Sequence, residues 1–131
     1  MYRIIAAFFL LVASATASSA QGVWPSVWKS ERGALLKVLR ADAATGNFTG
    51  VFLSNPSGPC PAVPYDVTGR MRAPRVAFQT SRPWTPDCRV TAVWSGRFVN
   101  PTTVALRWTA TAAGPKGRMV KTRGTEVFRR V

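Results

Sequence analysis

The sequence predicts an all-β protein, an eight-stranded antiparallel up-and-down barrel, on three observations. Turn signals built from glycine, proline and asparagine recur at short intervals, as in 45–47, 55–59, 100–102 and 113–117. The segments between these turns are rich in valine, threonine, phenylalanine and tryptophan, which favour strands. Several segments alternate apolar and polar residues, so one face of each strand packs while the other meets water. Strands joined in order by tight turns can close on themselves, which leaves no sheet edge.

The chain divides into a predicted export signal, residues 1–20, and a single predicted domain, residues 21–131. The signal has a positively charged start, an apolar run and then small residues, and the run is too short to span a bilayer. Cleavage is expected after Ala20, with Ala15 and Ala17 as alternatives. We therefore expect the mature protein to be secreted or periplasmic, without a membrane span.

Turn signals set the limits of the first five predicted strands, which are 24–30, 33–40, 47–54, 65–72 and 75–82. Glycine-containing turns separate the first three strands, and proline-containing segments end the third and divide the fourth from the fifth. No segment has the apolar spacing of an amphipathic helix of appreciable length. The one candidate, 30–39, places neighbouring apolar residues on opposite sides.

Three further strands, 89–98, 103–111 and 119–130, complete the predicted barrel. The first two of these alternate most clearly. Their predicted inward residues are Val90, Ala92, Trp94 and Phe98, followed by Val104, Leu106, Trp108 and Ala110. Because the two strands are consecutive, Trp94 and Trp108 are expected to be neighbours inside the barrel.

The chain is strongly basic, with 18 lysine and arginine residues against five aspartate and glutamate residues and a formal net charge of +13. Such a surface attracts anionic partners such as nucleic acid, lipid headgroups or acidic polysaccharide. The positive residues are scattered along the sequence rather than clustered in it. This distribution predicts non-specific attraction to anionic surfaces and no specific nucleic-acid site.

Cys60 and Cys88 are the only cysteines. An even number in an exported chain indicates a disulfide, because the exported compartment is oxidising. The bond would close a loop of about 29 residues and contribute about 3–4 kcal/mol of stability on the chain-entropy estimate. No metal site is expected, because two thiols in a chain without histidine cannot complete a zinc shell.

The composition also argues against an enzyme. Without histidine, neither a Ser-His-Asp nor a Cys-His arrangement can form, and paired cysteines leave no thiolate nucleophile. We expect no catalytic residue and no cofactor. The five tryptophans either pack the core or line a cavity for a small ligand, and periodicity leaves both readings open.

Six motifs resemble those of avidin and streptavidin in order and spacing, over essentially the whole chain after the signal. They are WKSERGA (28–34), GNFTGVF (46–52), VTGR (67–70), VWSG (93–96), ALRW (105–108) and GTEVF (124–128). The residues beside Cys60 and Cys88 resemble the disulfide-bearing, dimeric, rhizavidin-like branch of that family. The resemblance implies an avidin-like barrel, biotin or an analogue as the ligand, and a homodimer.

The resemblance also implies a ligand site. Its residues are Ser30, Ala34, Phe52, Ser54, Phe78, Arg82, Val90, Ala92, Trp94, Trp108 and Glu126. Ser30, Ala34 and Phe52 stand where family members hold the ureido oxygen of biotin with asparagine, serine and tyrosine donors. At most one of these donors remains. Two missing donors would weaken binding by about 2–6 kcal/mol.

Of the remaining site residues, some match the polar groups that the family uses and others do not. Glu126 and Ser54 match positions that meet the ureido N–H groups, whereas Ala92 and Val90 replace hydroxyl-bearing residues. Trp94 and Trp108 match two tryptophans of the family. Arg82 stands at the position of a third, and Trp84, two residues later, is the candidate to take over its role. Arg82 or Arg32 is also a candidate to turn toward Glu126 and neutralise it.

Two functions follow from these features. The first is an avidin-like small-ligand barrel that binds biotin with reduced affinity, which the residues Trp94, Trp108, Ser54 and Glu126 favour. The second is a cationic secreted interaction protein, or a barrel-type protease inhibitor, that uses the same scaffold without binding biotin. The residues that favour this second function are Ala34, Phe52 and Val90.

Overall fold

The computed structural model describes residues 25–57, 60–83 and 88–131. The predicted export signal, Trp24 and Trp84 lie outside these residues. The strands are β1 (Ser26–Ser30), β2 (Leu35–Ala41), β3 (Asn47–Leu53), β4 (Pro64–Arg72), β5 (Arg75–Pro83), β6 (Val90–Asn100), β7 (Thr103–Ala113) and β8 (Met119–Arg130). A single turn of 3-10 helix, Pro115–Gly117, lies between β7 and β8.

Each strand pairs antiparallel with the next, and β8 pairs with β1 to close the barrel. The predicted fold class is therefore confirmed. The predicted limits of β8 are also those of the structure, whereas β6 and β7 run further, to Asn100 and Ala113. They continue because the β6–β7 ladder extends from Val90 opposite Ala112 to Asn100 opposite Thr103.

Alternation of buried and exposed side chains builds the core. In β5, for example, Val76, Phe78 and Thr80 are buried while the residues between them are exposed. β6 follows the predicted phase, with Trp94 buried and Thr91, Val93 and Ser95 exposed on the outer face. The interior is rich in aromatic rings, so the two ends of the barrel differ according to which side chains fill them.

The connections β1–β2, β3–β4, β5–β6 and β7–β8 lie at one end of the barrel, which we call the mouth. The other connections and the start of β1 lie at the opposite, closed end. The predicted disulfide is confirmed at the mouth, where Cys60 and Cys88 are bonded with their Cα atoms 5.9 Å apart. Within the described ranges, no helix is long and apolar enough to cross a membrane.

Candidate functional site

The mouth opens into a cavity of about 290 Å³, the mouth cavity. Strands β3 to β8 contribute to its wall, together with the β1–β2 turn and the β3–β4 loop. The residues that line it are Arg32, Ala34, Phe52, Ser54, Asn55, Cys60, Tyr65, Thr80, Val90, Ala92, Trp94, Trp108, Ala110, Ala112, Val120, Thr122 and Glu126. A cavity of this kind, mostly apolar with a few polar groups, suits a small organic ligand.

Trp94 is the centre of the cavity floor. Its ring stacks on Phe78 at 5.5 Å between centroids and 10° between planes. Phe128 meets it edge-on at 5.7 Å, and Phe52 lies tilted at 5.2 Å. The indole N–H of Trp94 is buried without a hydrogen-bond partner among the described residues. Because a buried donor is costly when it is unpaired, this position marks where a ligand acceptor would be favourable.

Trp108 stands beside Trp94, with ring centroids 6.1 Å apart, which confirms that the two tryptophans are neighbours. Their strands pair so that the two residues lie directly opposite each other. Space for the Trp108 ring comes from Gly124 on β8, where a Cβ would lie 2.4 Å from Cζ2 of Trp108. The glycine is therefore required for the ring to lie flat against the wall.

Glu126 supplies the carboxylate of the cavity. Its side chain is 7% exposed, and Arg32 Nε lies 4.0 Å from its Oε1. Burial raises the pKa of the Glu126 carboxyl above its ordinary value, while the charge of Arg32 and a hydrogen bond from Ser30 oppose that rise. Of the two arginines expected to approach Glu126, Arg32 does so. Arg82 is exposed and does not line the cavity.

The two site serines are already engaged. Ser30 Oγ accepts a hydrogen bond from the Ala34 N–H at 3.0 Å, and its hydroxyl bonds to Glu126. Ser54 Oγ donates to the Cys60 carbonyl and accepts from the Val63 N–H. Ser54 thus holds the β3–β4 loop in place. Neither hydroxyl has a proton left for a ligand oxygen.

The structure brings most of the predicted site residues together. Those lining the mouth cavity are Ala34, Phe52, Ser54, Val90, Ala92, Trp94, Trp108 and Glu126. Ser30 lies buried behind Glu126, Phe78 lies beneath the floor, and Arg82 points outside. Arg82 has a positive φ of 54° near the end of β5, where the backbone leaves the regular strand geometry that would direct it inward.

Sequence reasoning missed Tyr65 and Thr80, which both line the cavity. Tyr65 is 3% exposed, and its hydroxyl lies 2.7 Å from Cys88 Sγ, so it packs against the disulfide. Burial raises the pKa of the Tyr65 phenol. Alternation along β4 and β5 carried a signal for both residues, because Tyr65 shares its face with Val67 and Thr80 shares its face with Phe78.

No group of three or more potential metal-ligating side chains occurs in the part of the chain that the structure describes. The described residues form a closed up-and-down barrel with an apolar cavity and a buried carboxylate at its mouth, an architecture that suits a small ligand. No protein-family profile and no curated protein sequence matches the chain.

Solved structures do match. Bradavidin2 in complex with biotin superposes with a TM-score of 0.69 at 26% identity, covering 82% of this chain and 96% of that one. Apo bradavidin2 gives 0.68 at 27% identity, over 82% and 96% of the two chains. Rhizavidin in complex with biotin gives 0.71 at 24% identity, over 82% and 91%. The barrel is an avidin-like barrel, as its motifs imply.

Proposed function

We propose that this chain is an exported, avidin-like protein that binds a small ligand in the mouth cavity, with biotin as the default ligand and reduced affinity for it. One observation carries the proposal. The cavity has aromatic walls and a buried carboxylate, but its serine hydroxyls are already committed to other partners. Bradavidin2 and rhizavidin, which share the barrel, are both seen with biotin.

The favourable part of binding comes from the walls and from Glu126. Burying a bicyclic ligand against Trp94, Trp108 and Phe52 removes apolar surface from water. A ligand N–H that reaches the Glu126 carboxylate makes a charge-assisted hydrogen bond, which is stronger than a neutral one. The ligand must share this carboxylate with Arg32, whose side chain is 63% exposed and can move aside.

The unfavourable part concerns the ureido oxygen. Ala34 and Phe52 have no donor to offer, and the Ser30 hydroxyl bonds to Glu126. Each lost hydrogen bond to the buried ureido oxygen costs about 1–3 kcal/mol, so the loss of two donors costs about 2–6 kcal/mol. This cost corresponds to a fall in affinity of about one and a half to four powers of ten.

Calorimetric titration with biotin tests the proposal. The double variant Ala34→Ser, Phe52→Tyr restores the two donors and is expected to bind biotin about 2–6 kcal/mol more tightly than the unmodified protein. A control places the same two hydroxyls outside the cavity, as Ala105→Ser with Phe98→Tyr, and should leave biotin affinity unchanged.

Two results would count against this assignment. Picomolar binding by the unmodified protein would refute the loss of donors. No gain in the double variant would indicate a cavity adapted to another ligand.

The second candidate function is a cationic interaction protein or a barrel-type protease inhibitor without biotin binding. The observation that favours it is that Ala34, Phe52 and Val90 carry no donor, while the hydroxyls of Ser30 and Ser54 are engaged within the protein. Absence of any biotin binding, in both the unmodified and the double-variant protein, would favour this candidate.

Three further properties belong to the proposal, and the first two have their own checks. We propose export from the pattern of residues 1–20, which the mass of the secreted protein would test. We propose a homodimer from the rhizavidin-like motifs, which sedimentation would test. We also propose that the site binds its ligand without catalysing a reaction, because the chain has no histidine for a Ser-His-Asp or Cys-His arrangement.

A further inference from the structure

Positive charges that are scattered in the sequence are gathered on one outer wall of the barrel. A groove of about 520 Å³ runs across β4, β5, β6 and β7. Five arginines line it, Arg70, Arg72, Arg75, Arg97 and Arg107. We name this feature the arginine groove. Strand pairing thus brings together on this wall arginines that are distant along the chain.

The register arranges these arginines around a small floor. Arg72 lies opposite Arg75, which in turn lies opposite Arg97, so three guanidinium groups form one row across three strands. The adjacent row begins with Arg70 and ends with Arg107.

Between the two ends of the second row lie only Ala77 and Ser95. Neighbouring strands are about 4.8 Å apart, so long side chains from the rim can converge over this floor. The arginines therefore enclose the floor on three sides.

No carboxylate lines the groove. Like charges directly opposite on paired strands destabilise a sheet, and this wall contains two such pairs, Arg72 with Arg75 and Arg75 with Arg97. Arg70 is held in place by a 3.1 Å hydrogen bond from its Nε to the Thr45 carbonyl. An anion bound over the floor would offset the repulsion and accept hydrogen bonds in the fork geometry that guanidinium groups favour.

We propose that the arginine groove binds a compact, soluble anion that carries two or more phosphate groups. Five charges around one floor exceed what a single phosphate can engage, whereas linked phosphates can reach several arginines at once. The lining has no aromatic ring on which the bases of a nucleic acid could stack. Its one large apolar residue, Val76, is buried and cannot enter a lipid surface.

Calorimetric titration of the full chain with tripolyphosphate, pyrophosphate and orthophosphate tests the proposal. We expect one tripolyphosphate per chain, bound at least about tenfold more tightly than orthophosphate, because charge-assisted hydrogen bonds add with each phosphate engaged. Equal affinity for the three anions would overturn the proposal.

Two pairs of variants separate the groove from the net charge. Arg97→Gln removes a charge from the groove and should weaken tripolyphosphate binding about tenfold. Arg123→Gln removes the same charge from the outer face of β8 and should weaken it much less. Ala77→Glu places a carboxylate on the floor and should abolish binding, whereas Val93→Glu adds the same charge on the exposed face of β6, outside the groove.

Equal losses in the groove variant and its control would show that binding follows net charge alone, and the proposal would fail. Tighter binding of a single-stranded DNA oligonucleotide than of tripolyphosphate, abolished by Ala77→Glu, would replace the proposal with an extended polymer. Circular dichroism identifies any variant that fails to fold, and the Arg97 and Arg123 pair then decides. The groove lies on the outer wall, so these results are independent of biotin binding.

Discussion

The mouth and the closed end of the barrel are formed by the same strands, yet one is hollow and the other is filled. At the closed end only about 60 Å³ is open, among large side chains such as Trp28, Phe48 and Phe98. At the mouth about 290 Å³ is open. Both ends contain a buried tryptophan. The indole N–H of Trp28 donates to Ser26 Oγ at 2.9 Å, whereas that of Trp94 has no partner among the described residues.

The difference arises from side-chain size at inward positions. Along β7 the inward residues are Val104 and Leu106 toward the closed end and Ala110 and Ala112 toward the mouth. Hollow space forfeits packing contacts, so a filled end supplies more stability than an open one. Stability is therefore concentrated at the closed end, whereas the proposed ligand site lies at the mouth. Three experiments test this division.

Substitution at the closed end should have the largest effect. Phe48 is 6% exposed and packs on Phe78 with ring centroids 6.2 Å apart. Phe48→Ala is expected to lower the free energy of unfolding by about 3–5 kcal/mol, through lost burial and a new cavity. Urea denaturation measures this change. For comparison, the substitution Ala92→Ser at the mouth should alter the free energy of unfolding by less than about 1 kcal/mol. A larger loss at Ala92 than at Phe48 would overturn the division.

The disulfide is the exception that places stability at the mouth. The double variant Cys60→Ala, Cys88→Ala should lower the free energy of unfolding by about 3–4 kcal/mol, because the unfolded chain regains the freedom of the closed loop. Biotin affinity should fall as well, since Cys60 lines the cavity and Cys88 contacts Tyr65. Unfolding of the unmodified protein in reducing buffer should give the same loss. An unchanged urea midpoint there would contradict the expectation.

The smallest expected effect is the pH dependence that Glu126 imposes. Burial raises the pKa of Glu126 above 4.5, its ordinary value, so the folded protein retains a proton that the unfolded chain has lost. The stability contributed by this group is therefore fully present below pH 4.5 and is lost as pH rises through the raised pKa.

Urea midpoints measured across that range should fall with pH in the unmodified protein and fall less in Glu126→Gln. Glu31→Gln, which makes the same charge change at an exposed side chain, should flatten the slope far less than Glu126→Gln, because the Glu31 charge is the smallest of the causes that act on the pKa of Glu126. Arg32→Gln should steepen it, because the Arg32 charge opposes the rise in the pKa of Glu126. Parallel profiles for Glu126→Gln and the unmodified protein would show that the carboxylate is not desolvated.

Local rules explain why so much of the fold was predictable. Turn residues and period-two alternation are short-range signals, and the limits of β8 followed from them. The pairing of Trp94 with Trp108 was also predictable from the sequence, because their strands are consecutive and joined by a short turn. The cavity walls at Phe52 and Glu126 came from the family motifs, whereas periodicity alone already placed Ala92 inside the barrel.

The strand order, the inward residues of β6 and β7 and the disulfide pairing could be predicted from the amino-acid sequence. The first two depend on neighbouring residues and consecutive strands, and the third depends on the count of cysteines. Three features became visible only in the folded barrel: the engaged serine hydroxyls, the approach of Arg32 rather than Arg82 to Glu126, and the groove shared by five arginines. These features depend on side-chain directions and on the lateral register of four paired strands. A shift of one residue in that register would turn every side chain of a strand to the other face, and closure of the barrel fixes it.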